Sequence, residues 1–374
     1  MIEIKNVVTK SDIKKFVNFP HKLYKGVPYF VPFLNVDEKN KFNPDKNESY
    51  DDCIVQSFLA SKDGKVVGRI CGIVQKLYNE KNMQKRVRFS RFDCINDKNV
   101  SKALFCAVEK WSKEQGMEVI HGPMGYNDLD REGLLVEGFD QMSTYEEQYN
   151  FDYYPELIED YGFKKEVDWI EYRIFAPKER NEKIDRIADV VSRRFKLKIV
   201  TPKSIKWFVK NYKQQFFDTL DAAYSPLYGV VPFSEKTKES LIDQFGLFLN
   251  KDFIIGVVNE ENKLIGFGLV FPSLSEAVSK SKGKIFPFGI FRILKQMKKP
   301  KTIDLGLIAI RPEYQNKGVN AMIMSHMING MIEKKIKYAE TNLMLEDNTR
   351  IQGQWSVFDY IQHKRRRSYF KKIK

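Results

Sequence analysis

Cysteine and histidine are scarce in this chain, with four of each among its 374 residues. No two cysteines form a CxxC pair, and the histidines are scattered; the eight residues are Cys53, Cys71, Cys94, Cys106, His21, His121, His326 and His363. A structural zinc site needs four such ligands at short spacings, so the sequence predicts no metal centre. The apolar neighbours of several cysteines, such as Ile70 and Ile73 around Cys71, favour reduced thiols in the core.

Long apolar runs are also lacking. No run approaches the ~20 residues that a membrane-spanning helix needs. The N-terminal sequence MIEIKNVVTK has no apolar core of the kind found in a secretory signal. These two features predict a cytoplasmic protein without a membrane span.

Positively charged residues outnumber negatively charged ones. The 63 lysines and arginines against 49 aspartates and glutamates give a net charge of +14. A basic surface favours anionic partners, such as the phosphates of coenzyme A, a nucleic acid or an anionic membrane, although solubility alone also explains it. The run Lys364-Arg365-Arg366-Arg367 is flanked by Tyr369 and Phe370, which favours a late strand over a nucleic-acid-binding tail.

The length of the chain predicts two domains, since it exceeds what one ordinary core supports. A weak internal repeat supports this. Hairpin patterns at residues 54–74 and 253–271 each precede a strand, a helix and a strand, which predicts a mixed sheet with a parallel crossover. Helices are predicted before the hairpins, at 11–24 with Ser11 as N-cap, 204–223 and 234–249. The polar stretch 176–181 is the predicted linker between domains 1–176 and 182–374.

A long irregular stretch interrupts the second half at residues 272–300. In a compact domain a loop of this length is often a lid or a binding loop. The alternative is a short amphipathic helix at residues 290–297 that covers a sheet edge. The sequence leaves both interpretations open.

The segment at residues 303–320 carries the clearest chemical signal. An apolar strand from Ile303 to Ile310 and a turn at Arg311-Pro312 lead to a Gln-x-x-Gly-x-Asn run, Gln315 to Asn320, which opens a helix. The start of a helix offers unpaired N–H groups and a positive dipole end, which together hold an anion. A glycine at Gly318 lets the backbone approach that anion closely. An ordinary turn with a glycine is the alternative.

This segment resembles motif A of the GNAT superfamily, the Gcn5-related N-acetyltransferases, whose pattern is Gln/Arg-x-x-Gly-x-Gly/Ala. Asn320 replaces the last small residue of that pattern. The resemblance implies that acetyl-CoA, or another acyl-CoA, binds here. Its pyrophosphate would lie on Gln315, Asn316, Lys317, Gly318, Val319 and Asn320. Its pantetheine arm would pair with Ile308, Ala309 and Ile310, and Asn348 would contact the cofactor as a similar Asn does in many GNAT enzymes.

The same resemblance implies candidate catalytic residues. Asp304 lies eleven residues before Gln315, where some histone-type GNAT enzymes carry a general base, and Glu340 on the next strand is the second candidate. A solvated strand-edge carboxylate is the alternative for Asp304, and an ion-pair partner is the alternative for Glu340. Trp355 occupies the position of the usual acid tyrosine, for which Tyr360 or Tyr369 would have to substitute.

The first half matches the motif less well. Residues 95–100 have no glycine and carry Asp97, so its coenzyme site is predicted to be degenerate, with this half shaping the acceptor pocket. Residues 122–163 and the late Lys364, Arg367 and Tyr369 resemble a group of tandem GNAT-like bacterial proteins. Glycines and aromatics in 122–163 could form a pocket wall or serve as turns and core.

The resemblance therefore implies an α/β fold of two tandem GNAT-like domains, each with a mixed, mostly antiparallel sheet flanked by helices. The implied function is acyl-CoA-dependent N-acylation of a small-molecule or peptide amine. One alternative is an aminoacyl-tRNA-dependent transferase, which also pairs two such halves and would bind tRNA. The other is a catalytically inactive CoA-binding or structural protein.

Overall fold

The computed structural model describes residues 1–246 and 249–373. Its first half contains seven strands and six helices. The strands are β1 (Ile2–Asn6), β2 (Cys53–Lys62), β3 (Lys65–Gln75), β4 (Arg86–Cys94), β5 (Val119–Gly122), β6 (Leu134–Glu137) and β7 (Lys164–Phe175). The helices are α1 (Lys10–Leu23), α2 (Asn35–Lys41), α3 (Ser49–Asp52), α4 (Lys76–Asn82), α5 (Lys98–Glu114) and α6 (Tyr154–Asp160).

The described part of the second half repeats this arrangement. Its strands are β8 (Lys198–Val200), β9 (Ile254–Val258), β10 (Leu264–Pro272), β11 (Thr302–Ile310), β12 (Tyr338–Thr341), β13 (Met344–Leu345) and β14 (Tyr360–Lys372). Its helices are α7 (Glu182–Phe195), α8 (Ile205–Tyr224), α9 (Glu235–Gly246), α10 (Ser275–Lys280), α11 (Gly289–Lys298), α12 (Val319–Glu333) and α13 (Thr349–Gly353).

All these strands form one sheet, ordered β1-β2-β3-β4-β5-β14-β7-β12-β11-β10-β9-β8, with β6 on β14 and β13 on β7. Only the pairs β4–β5 and β11–β12 are parallel among the described strands. The predicted mixed, mostly antiparallel character and the parallel crossover in each half are confirmed, but the strands of the two halves form one continuous sheet instead of one sheet in each domain. Helices α7 and α12 pack together in the core of the second half, and α5 packs on the core of the first.

The centre of the sheet is built by an exchange of strands. β7 ends the first half in the chain but pairs with β12 of the second, and β14 ends the second half but pairs with β5 of the first. The two exchanged strands also pair with each other over most of their length. Because these strands cross between the two halves, the domain boundaries 1–176 and 182–374 are not tested by the structure and stay a prediction.

Buried ion pairs hold the exchanged strands together. Glu171 of β7 contacts Lys364 Nζ and Arg366 Nε of β14, each at 2.6 Å, and all three side chains are inaccessible to solvent. Asp168 binds Arg367 through both of its oxygens, at 2.7 and 3.0 Å. The basic run predicted to form a late strand is thus a central strand whose charges are paired.

Most predicted elements are present, with shifts at their ends. Both predicted hairpins form, as β2–β3 and β9–β10. α1 begins one residue earlier than expected, because Thr9 rather than Ser11 is the N-cap and makes a capping box with Asp12. The helix predicted at 234–249 is observed as Glu235–Gly246, and Leu247 and Phe248 lie outside the described residues.

The cysteine prediction needs one correction. Cys53, Cys71 and Cys94 are buried thiols, as expected, but Cys106 is exposed on α5 because it faces outward from the helix. Among the described helices, none has the length and apolar character needed to cross a membrane.

Candidate functional site

A cleft opens in the sheet where β11 and β12 separate. They pair for only four residues, from Thr302 to Leu305, after which β13 continues on β7 instead. Leu305 and Leu307 pair with consecutive residues of β10, so Gly306 between them is a bulge. A side chain at Gly306 would lie 2.3 Å from the Phe271 ring, which explains the glycine. The edge of β11 beyond the bulge is therefore free of β12.

The start of α12 lies at the end of this free edge. Gly318 is its N-cap with φ +80°, and no side chain caps the helix or places a negative charge in its first turn. Gln315 donates from Nε2 to the Ile310 carbonyl at 2.9 Å, which ties the loop to the end of β11. The uncapped N–H groups leave this helix start available to an anion.

A cavity of about 560 Å³ joins the strand edge to the helix start. Eight of the ten predicted cofactor-binding residues line it, which brings the predicted set together in one place; the eight are Ile308, Ala309, Ile310, Gln315, Asn316, Val319, Asn320 and Asn348. Lys317 is not in the lining and lies over the rings of Phe195 and Tyr314, and Gly318 contributes backbone as the N-cap. Asn348 also caps α13 by accepting a hydrogen bond from the Ile351 N–H.

The equivalent place in the first half is already filled. Asp97 caps α5 and accepts the Asn99 N–H at 2.9 Å, so a carboxylate of the chain occupies the helix start. Lys62 pairs with the same carboxylate at 3.2 Å. Beyond β4–β5, the Met124 N–H donates to the Phe89 carbonyl at 2.9 Å and closes the edge that is free in the second half. These contacts support the predicted degeneracy of the first coenzyme site.

The first half instead supplies acidic side chains to the cavity. Asp128 and Glu132 line it from the irregular segment before β6, and Glu147 lines it from the segment after β6. Burial raises the pKa of Glu132 well above its usual range and that of Glu147 to about 8. Among the described residues, Glu132 Oε2 is buried without a hydrogen-bond partner, and Glu147 Oε2 lies 3.7 Å from Arg366 Nε. Sequence reasoning flagged residues 122–163 but missed these carboxylates, because they follow no periodic pattern.

Asp304 and Glu340 are neighbours in register on β11 and β12. Asp304 is buried, so the solvated strand-edge alternative is wrong. Burial and the adjacent Glu340 raise its pKa to about 8, and its Oδ1 has no hydrogen-bond partner among the described residues. It lines a second cavity of about 360 Å³, which shares Glu146, Leu129 and Phe271 with the first.

Glu340 lies in a different environment. It accepts a hydrogen bond from Arg173 Nε at 2.8 Å and lies 2.7 Å from His363 Nε2, although that contact lacks hydrogen-bond geometry. It is absent from the lining of both cavities. This placement favours the ion-pair interpretation of Glu340 and leaves Asp304 as the better candidate for a base.

The acid-tyrosine position also differs from the family pattern. Trp355 is buried and donates to Met344 Sδ at 3.2 Å. Tyr369 is packed in the core of the first half, with its hydroxyl on Glu159, and Tyr360 packs on Tyr172 away from the cavity lining.

Other tyrosines line the cavity instead. The hydroxyl of Tyr224 donates to the Ile308 carbonyl at 3.1 Å. The hydroxyl of Tyr228 lies between Glu166, at 2.6 Å, and His121 Nδ1, at 3.0 Å. Their positions on and after α8 gave no signal in the sequence.

The uncapped start of α12 leads to a prediction that distinguishes the coenzyme sites of the two halves. Asn320→Asp should weaken coenzyme A binding by roughly 10-fold or more, because a carboxylate in the first turn repels the pyrophosphate. Asn99 occupies the matching second position of α5, so Asn99→Asp should leave binding unchanged. Calorimetric titration should give one coenzyme per chain in the wild type. Two coenzymes per chain, or equal effects of the two variants, would contradict the assignment.

We compared the sequence and the fold with those of known proteins. No protein-family model matches the chain. Protein YghO of Escherichia coli (strain K12) is 28% identical over 382 aligned positions, covering 99% of this chain and 95% of that protein. The bacterial ceramide synthase of Caulobacter vibrioides is 23% identical over 316 positions, covering 83% and 80%.

Solved structures share the architecture over nearly their whole length. A tandem GNAT protein from the clavulanic acid biosynthesis pathway has a TM-score of 0.58 at 10% identity, covering 100% of this chain and 99% of that one. A GCN5-related N-acetyltransferase from Sphaerobacter thermophilus has a TM-score of 0.55 at 9% identity, covering 100% and 96%. Two halves built on one pattern, with a cleft at the separation of two parallel strands, give this chain the tandem GNAT fold of these structures.

Proposed function

We propose that this protein is an acyl-CoA-dependent N-acyltransferase that joins a long acyl chain to a long-chain amine. The observation that carries the proposal is a single cavity that brings four features together. Its lining includes an uncapped helix start, a free strand edge, buried carboxylates and an apolar compartment of large side chains. A donor with phosphates at one end and a thioester at the other matches that combination.

The donor end follows from the backbone. The N–H groups at the start of α12 would hold the pyrophosphate, and the free edge of β11 would pair with the amide-containing arm as an added strand. The bulge at Gly306 takes that residue out of the ladder with β10, in the part of the cleft where the thioester would lie.

The apolar compartment favours a long hydrocarbon chain over an acetyl group. Helices α8 and α9 and the following segment line it with large side chains, namely Phe216, Phe217, Leu220, Leu241, Ile242 and Leu249, while Ala223 leaves room between them. Contact with water is unfavourable for such an apolar lining, and an alkyl chain would remove that contact. A ceramide is the amide of a fatty acid and a long-chain amino alcohol, so similarity to a bacterial ceramide synthase supports the same class of product.

The proposed reaction assigns a proton to each step. Asp304, as carboxylate, takes a proton from the acceptor ammonium, and the free amine forms the C–N bond at the thioester carbonyl as the C–S bond breaks. Tyr224 lies on the strand edge and is our choice of proton donor to the departing thiolate. The nitrogen passes its second proton to the Tyr224 phenolate, and Asp304 releases the first proton to solvent. Both side chains are thereby restored, and the products are an amide, free coenzyme A and one proton.

Ala223→Leu tests the proposed compartment. Filling the space beside Ala223 should shift the preferred hydrocarbon chain to shorter lengths and lower kcat/KM for the longest chains by roughly 10-fold or more, since each buried methylene contributes about 0.8 kcal/mol. Ala222, the preceding residue of α8, is not in the lining, so Ala222→Leu is the matched control. Amide products would be measured by mass spectrometry over a series of acyl-CoA and amine lengths.

The two length series distinguish which substrate enters the compartment. A shift confined to acyl-CoA length places the acyl chain there, and one confined to amine length places the acceptor there. Amide formation from acetyl-CoA alone, or an equal shift in Ala222→Leu, would contradict the proposal.

A further inference from the structure

The insertion between β10 and β11 is anchored to the first half of the protein. The carbonyl of Gly283 accepts the Asn35 N–H at 2.9 Å. Ile293 of α11 is 3% exposed and packs in a cluster with Val31 and Leu34. The predicted helix at 290–297 is confirmed as α11, but its inner face covers these loop residues rather than a sheet edge. The insertion is therefore held in place by its inner face.

The outer face of the insertion is unusually apolar. Phe286, Phe288 and Phe291 are 76%, 67% and 67% exposed, which makes them the most exposed aromatic side chains among the described residues. Leu294, one turn after Phe291, is 53% exposed. We call these four residues the aromatic patch. Four large apolar side chains in nine residues of sequence form a contiguous surface of the kind that marks an interaction site.

The charges around the aromatic patch all have one sign. Residues 282–301 contain seven basic residues and no aspartate or glutamate; the seven are Lys282, Lys284, Arg292, Lys295, Lys298, Lys299 and Lys301. All seven are exposed, and among the described residues none of them forms an ion pair. Their charge is thus available to an external anionic surface.

The basic and apolar side chains share the same face of α11. Phe291 lies three residues before Leu294 and four before Lys295, and Lys298 lies four residues after Leu294. Gly289, Ile293 and Met297 face inward. A folded protein partner would need both an apolar pocket for three protruding rings and a dense acidic rim. A bilayer of anionic lipids supplies both features over its whole surface, with acyl chains for the rings and headgroups for the lysines.

We propose that the aromatic patch and its seven basic residues dock this protein on the surface of an anionic lipid bilayer. The phenylalanines enter the boundary between headgroups and acyl chains, and the lysine stems extend so that their ammonium groups stay among the phosphates. The helix lies on the surface and does not cross it. This inference does not rest on the proposed reaction, because it depends on residues outside both cavities.

Vesicle cosedimentation of the full chain tests the docking surface. Wild-type protein should bind vesicles of two parts phosphatidylcholine to one part phosphatidylglycerol more tightly than pure phosphatidylcholine vesicles. The preference should weaken with added salt, as an electrostatic contribution of roughly 5-fold per lysine is screened. Replacing Phe286, Phe288 and Phe291 together by Ser should reduce binding by roughly 100-fold or more, since burial of each ring contributes on the order of 10-fold.

Matched variants identify the surface responsible. Lys295, Lys298 and Lys299 changed to Gln should also lose binding, whereas Lys10, Lys14 and Lys15 of α1, equally exposed and unpaired, should tolerate the same change. Val8, Met83 and Val190 changed to Ser provide the apolar control, because they are exposed elsewhere. Unchanged binding in the phenylalanine variant, equal losses in the controls, or no binding to anionic vesicles by wild-type protein would overturn the proposal. So would a phenylalanine variant that changes only the oligomeric state.

Discussion

Asp304→Asn is expected to lower kcat by ~10²–10⁴-fold while leaving coenzyme A affinity unchanged, because it removes a general base without touching the helix start. The side chain is buried in the lining of the second cavity, and in the described part of the chain its Oδ1 has no hydrogen-bond partner. Asparagine has nearly the same shape but cannot accept a proton from an ammonium. Steady-state kinetics with acyl-CoA and amine, together with calorimetric titration of the coenzyme, would measure the two effects separately.

The pH dependence gives a second readout of the same assignment. The pKa of Asp304 is raised to about 8 by burial and by the adjacent Glu340, so the base is protonated at lower pH. Wild-type kcat should therefore rise with pH through about 8. Glu340→Gln removes the nearby negative charge and should move this rise to lower pH, a shift that the acceptor amine's own titration cannot produce.

The pH dependence of the free energy of unfolding provides a control that does not depend on activity. Because the pKa of Asp304 is higher in the folded than in the unfolded chain, the folded form binds its proton more tightly between pH ~4 and ~8. Its contribution to the free energy of unfolding should fall as pH rises through that window, and Asp304→Asn should remove this dependence. Full activity in Asp304→Asn would exclude it as the base. A matching loss in Glu132→Gln would then assign the role to the first half.

The repeated parts of the fold could be predicted because their signals are local. Hairpin turns, apolar alternation and helix caps identify the strands around Asp63-Gly64 and the helix after Gly318 without tertiary information. The candidate donor site followed from a signal that is also local. It is the Gln-x-x-Gly run from Gln315 to Gly318, which opens a helix after an apolar strand and resembles motif A.

The exchange of β7 and β14 could not be predicted in this way. Their pairing joins Glu171 to Lys364, residues far apart in the sequence, and the pattern of each strand fits either half equally well. The acidic side of the cavity was missed for a related reason. Glu132 and Glu147 lie in irregular backbone, where no period indicates which side chains point inward, and their burial is set by contacts with the other half.

The exchanged strands depend on a buried charge cluster. Glu171 lies between Lys364 and Arg366, with all three side chains inaccessible to solvent. Burial alone would raise the pKa of Glu171, but the two cations lower it to about 2, so it stays ionised in the folded protein. Removing the carboxylate leaves two positive charges buried at the join between the halves. Glu147 lies 3.7 Å from Arg366 and can compensate only in part, because burial raises its own pKa to about 8.

Glu171→Gln should therefore lower the free energy of unfolding by about 3–5 kcal/mol at neutral pH, the usual cost of removing one partner from a buried ion pair. Glu118→Gln is the control, since Glu118 pairs with Lys85 at 2.9 Å on the surface, where the side chains are 68% and 63% exposed. That change should cost within about 0.5 kcal/mol. Urea denaturation would measure both variants. Because the pKa of Glu171 is lowered, its contribution to the free energy of unfolding is present above pH ~4.5 and is lost as pH falls towards 2. The stabilities of the wild type and Glu171→Gln should therefore converge in acid. A loss below about 1 kcal/mol in Glu171→Gln would mean that backbone pairing of β7 with β14, rather than the charge cluster, holds the halves together.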